Sequence, residues 1–115
     1  MAKVILVLGV IGAMLSQIVK EAESVLGVPG EAIITEGLKR FLMAKIEENE
    51  KIMRELAARW GVAGYLELED KVRRGEVQEH PAWEDVILWE QLAAHTQKLK
   101  ELLGRVRTGE GLGPS

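Results

Sequence analysis

The chain has no cysteine among its 115 residues, which excludes disulfide bonds, thiolate zinc sites and cysteine nucleophiles. Aromatic residues are few, with three tryptophans, one tyrosine and one phenylalanine. An apolar core must therefore be built mainly from aliphatic side chains. A basic excess is also missing: Lys and Arg number 15 against 18 Asp and Glu, for a net charge of -3, so no general positive field advertises nucleic acid or an anionic membrane. The two histidines, His80 and His95, lack the i, i+4 partner or cysteine company of a metal site. No metal and no cofactor are expected, and no pattern of nucleophile, base and orienting group points to an enzyme.

A long uninterrupted hydrophobic run is lacking as well. The stretch VILVLGVIGAMLSQIV, after Lys3, is punctuated by Gly9, Gly12, Ser16 and Gln17 and falls short of the roughly 20 apolar residues that span a bilayer. Ala22-Glu23-Ser24 is a poor cleavage site set among charges. The expectation is a cytoplasmic protein without signal, anchor or membrane partner.

The length suits one domain with a core that needs no covalent staples. Lys3 to Leu8, rich in β-branched residues and ending at Gly9, has the form of a short strand buried on both faces. From Val10 the pattern turns helical: Ile11, Met14, Leu15, Ile18, Val19, Ala22, Val25 and Leu26 recur on one side until Gly27. After the turn GVPGEA, a second helix from about Glu31 carries Ile34, Leu38, Phe41, Leu42, Ile46, Met53, Leu56 and Trp60. It is expected to continue through EENEK at 47–51, where neither Gly nor Pro intervenes. A short helix over Tyr65 to Arg74 follows, then Pro81 as a first-turn residue and a last helix over Ala82 to Leu103. The glycine-rich end is expected to be a flexible tail, 105–115.

These elements make a mainly α protein with one strand. A lone strand cannot satisfy its own backbone, so the partner is expected to be the same segment of a second copy, giving a homodimer or higher oligomer. Strand, helix, glycine-centred turn and LGVPGEAIITEGLKRFL together resemble the ribbon-helix-helix repressors and antitoxins. The resemblance covers roughly Lys3 to Ile46, and Gly27, Ile33, Ile34, Leu38, Phe41 and Leu42 fall on its turn and core positions. It implies a dimerisation region at 1–48 built on Val4, Leu6, Leu8, Ile34, Leu38 and Phe41. A paired ribbon would normally read DNA in the major groove. Here Lys3 is the one polar strand residue, apolar side chains cannot donate to a base edge, and Glu31 stands at the helix start where a phosphate would sit.

Further along, YLELEDKVRRGEVQEHPAWEDVILWEQL is similar to the C-terminal stretch of uncharacterised microbial antitoxin-like proteins, and implies a partner-binding arm at 49–104. Val86, Ile87, Leu88 and Trp89 are consecutive and spread around most of a helix at about 100° per residue, so one core cannot cover them all. Tyr65, Leu66, Leu68, Trp83, Ile87 and Trp89 are the expected partner-binding residues, with tryptophan and tyrosine as favoured anchors. The resemblance makes that partner a toxin, such as a ribonuclease whose basic site the acidic Glu67, Glu69, Asp70, Glu76, Glu79, Glu84 and Asp85 would complement. The alternative is a self-assembling helical scaffold that binds no DNA.

Overall fold

A computed structural model describes residues 2–109, and of Ala2–Leu8, Val10 and Ile11 the backbone alone. The protein is mainly α. Its elements are α1 (Ala2–Leu26), α2 (Gly30–Trp60), α3 (Tyr65–Arg73) and α4 (Glu79–Thr108). Among the described residues none is in a strand.

The ribbon-helix-helix reading is thereby corrected, because the segment assigned to the ribbon is the start of α1. What the side chains of Lys3, Val4, Leu6 and Leu8 contact lies outside the described residues. The physical reason is that a short apolar run does not declare its period. Val and Ile cost a helix only a few tenths of a kcal/mol relative to Ala, and a glycine about 1 kcal/mol. Once the helix has formed from Val10 onward, extending it upstream gains a hydrogen bond per residue. A helix also satisfies its backbone internally, where a lone strand needs a second chain.

The chain forms two compact units, Met1–Leu38 and Lys39–Ser115. In the first, Gly27 ends α1 in the left-handed region (φ 69), and its N–H donates to the Glu23 carbonyl at 2.8 Å. Gly30 opens α2 with its N–H donating to Glu23 Oε1 at 2.7 Å. A Cβ at Gly30 would meet Val19 Cγ1 at 2.8 Å and the Glu23 carboxylate. Glycine is thus required there by close approach, and one carboxylate ties the two ends of the turn together.

In the second unit α2 runs without a break through 47–51 to Trp60, as the absence of Gly and Pro led one to expect. The link to α3 is closed by Glu67, whose Oε2 accepts the Ala63 N–H at 2.9 Å. Within the range of α4, His80 has extended backbone (φ -107, ψ 127), so the continuous helix begins at Pro81. It extends through Thr108, so 105–108 of the expected tail are helical.

The core of this unit is one aliphatic cluster capped by a tryptophan: Leu56, Val62, Leu68, Val72, Ala82, Val86 and Trp89 are buried together. A smaller cluster of Leu42, Ile46 and Leu103 joins α2 to the far end of α4. Among the described residues no helix is long and apolar enough to cross a membrane.

Candidate association surfaces

The Trp83–Trp89 segment is divided by the fold rather than presented as one surface. Trp89 is in the core, Trp83 and Trp60 pack half-buried against it, and Val86 is buried, while Ile87 and Leu88 are exposed. Of the other expected partner-binding residues, Leu68 is wholly buried, Tyr65 packs half-buried on the core, and Leu66 stays 66% exposed. The aromatic residues therefore hold α3 and α4 to α2, which leaves Leu66 and Ile87 as exposed members of that set. Helix period explains the division: Ala82, Val86 and Trp89 share a face, and Ile87 is turned about 100° from Val86.

Asp85 has a role that sequence reading missed. Its carboxylate, with the side chain 12% exposed, accepts from Arg59 Nη1 at 2.9 Å and from Trp60 Nε1 at 2.7 Å through the same oxygen, Oδ2. The available signal was its place: Asp85 lies three residues after Ala82 on the buried face, where an acid needs a partner. Farther along, Asn49 Nδ2 lies 3.1 Å from His95 Nδ1. Lys100 pairs with Glu50 at 3.0 Å. These contacts set the register of α2 on α4, and none of them forms a catalytic constellation. Among the described residues no group of three or more His, Asp or Glu is placed to hold a metal.

The three described dimerisation residues have the opposite fate to the tryptophans. Ile34, Leu38 and Phe41 are 60%, 45% and 61% exposed. By helix register they follow one another at i, i+4 and i+7 along α2. The same register places Glu31 before them and Lys45 after them, each seven residues from Leu38. Lys45 Nζ stands 5.9 Å from the centroid of the Phe41 ring, within cation–π range. The stripe thus reads acid, three apolar residues, base.

Residues 14–110 match the model of the Uncharacterized protein MJ0235 family. The chain belongs to that family. No curated protein and no solved structure matches it. The family match and the helical ribbon segment together replace the ribbon-helix-helix antitoxin assignment. In the MJ0235 family member the match begins inside α1, at Met14, and takes in the α2 stripe and the folded unit that follows.

Proposed function

We propose that the protein acts by association rather than catalysis: it is a helical module that pairs with a second copy of itself along the α2 stripe Glu31, Ile34, Leu38, Phe41 and Lys45. The observation carrying this is the exposure of three large apolar side chains in a row on one helix, a surface that soluble chains usually cover. Charge favours a second copy as the cover. In an antiparallel pairing centred on Leu38, Glu31 of one chain faces Lys45 of the other. Every charged position of the stripe thus meets its opposite by symmetry alone, as a two-fold interface requires.

Light scattering of the full chain across a concentration series tests it. A dimer is expected, and Leu38→Glu shifts it to monomer by placing two carboxylates at the two-fold axis. Glu31→Lys weakens the dimer, and Glu31→Lys with Lys45→Glu restores it. A monomeric parent, or an unchanged dimer in Leu38→Glu, rules this surface out.

Exposed Leu66 and Ile87 favour a second reading, in which the C-terminal helices bind a different protein. Glu67, Asp70 and Glu84 lie near them in the chain, so the partner suited to that surface is basic. Loss of partner recovery in a Leu66→Asp, Ile87→Asp double variant checks it.

A further inference from the structure

The seam between α2 and α4 changes character half-way along. On α2, Leu42, Asn49 and Leu56 stand seven residues apart, and on α4 so do Trp89, Thr96 and Leu103, a spacing that keeps each triplet on one helix face. All six are buried. The outer members of each triplet are apolar and the middle one is polar. Asn49 Nδ2 lies 3.1 Å from Nδ1 of His95, the neighbour of Thr96, so Asn49 and Thr96 stand at one level of the seam.

This polar layer separates two apolar clusters of unequal strength. On one side, Leu56, Val62, Leu68, Val72, Ala82, Val86 and Trp89 join α2, α3, α4 and the link at 61–64 in the main core. On the other, Leu42, Ile46 and Leu103 are buried between two helices alone. The layer itself adds little to closure. Among the described residues the Thr96 hydroxyl has no partner, a desolvation cost that opening relieves, and a polar residue at a seam position fixes register at a cost in stability. The cross-links at and beyond it are on the surface. Lys100 pairs with Glu50 at 3.0 Å in contact with solvent, where screening leaves little, and Arg107 Nη2 reaches Met43 Sδ at 3.8 Å.

We infer that the far end of the seam, 39–48 of α2 with 97–108 of α4, is a separately opening unit: it parts at the Asn49–Thr96 layer while the main core stays closed. Once parted, each segment is no longer than the roughly 12–15 residues at which isolated helices are marginal in water, so parting registers as exchange of backbone amides. Segment 39–48 lies well inside α2, and fraying of a helix end does not account for exchange there. Opening uncovers Leu42, Ile46 and Leu103, so this end presents apolar surface that the closed form hides. The inference does not depend on the α2 stripe.

The test is native-state hydrogen exchange of the full chain through a series of low denaturant concentrations, at one protein concentration throughout. Amides at 42–46 and 99–104 are expected to open at least about tenfold more often than those at 68–72 and 86–92. Their opening should also depend less on denaturant, because less surface is exposed. Val72→Ala, in the main core, should speed exchange at 68–72 and 86–92 on the order of tenfold and leave the far end unchanged, since that core stays closed when the far end parts. Thr96→Val should slow the far end about threefold by removing the unpartnered hydroxyl, and Asn49→Leu should slow it as well by joining the two apolar clusters. Three results overturn the inference: one common opening rate and denaturant dependence for all these amides, a far end accelerated by Val72→Ala as much as the core, or far-end exchange unchanged in both layer variants.

Discussion

Asp85 Oδ2 lies 2.7 Å from Trp60 Nε1, and this hydrogen bond joins the end of α2 to the first turns of α4. The same oxygen takes the Arg59 guanidinium, so one carboxylate oxygen satisfies an indole donor and pairs a charge. Arg59 remains 58% exposed, and water screens that half of the arrangement. The larger share of its worth rests with the indole bond and the shielded carboxylate.

Asp85→Ala should therefore destabilise the folded unit by about 1.5–3 kcal/mol, the range for a hydrogen bond to a charged group. Arg59→Ala should cost less, under about 1 kcal/mol, as an exposed partner. Chemical denaturation followed by tryptophan fluorescence checks both. Equal losses in the two variants would show that the ion pair, and not the indole, carries the contact.

Leu66 and Leu68 stand two residues apart on α3 and differ entirely in burial, 66% against 0% exposed. Leu68→Ala should cost about 2–5 kcal/mol through the cavity it leaves, and Leu66→Ala within about 0.5 kcal/mol as a surface change. Denaturation midpoints of the two single variants measure the difference.

Thr96 is buried on α4, and among the described residues its hydroxyl has no hydrogen-bond partner. A buried hydroxyl without a partner carries a desolvation cost of about 1–3 kcal/mol. Thr96→Val keeps the branched shape and removes that group, so it should raise stability by about 0.5–1 kcal/mol. A lower melting temperature in this variant would mean that the hydroxyl is satisfied in solution.

Much of the helical layout could be read from residue order. The unbroken α2, the short α3 and a last helix entered at Pro81 all follow from where Gly and Pro stand, because backbone freedom and the missing N–H act locally. The ribbon could not be read correctly. KVILVL suits a buried strand and an apolar helix equally by composition, and that choice depends on cooperative extension from the helix behind it. Within the expected partner-binding set, Leu68 and Trp89 are buried and Tyr65 and Trp83 pack half-buried on the core, while Leu66 and Ile87 are exposed, a division set by which helix faces meet and not by residue order.

Sequence alone determined a cysteine-free, mainly helical chain, because hydrophobic period and breaker residues are properties of the strip of residues itself. Only the tertiary structure decided that Trp89 and Leu68 fill the core, that Asp85 holds Trp60, and that Ile34, Leu38 and Phe41 remain open to solvent. Burial depends on which helix faces meet, and residues 25 positions apart, such as Trp60 and Asp85, become neighbours only when the chain has folded back on itself.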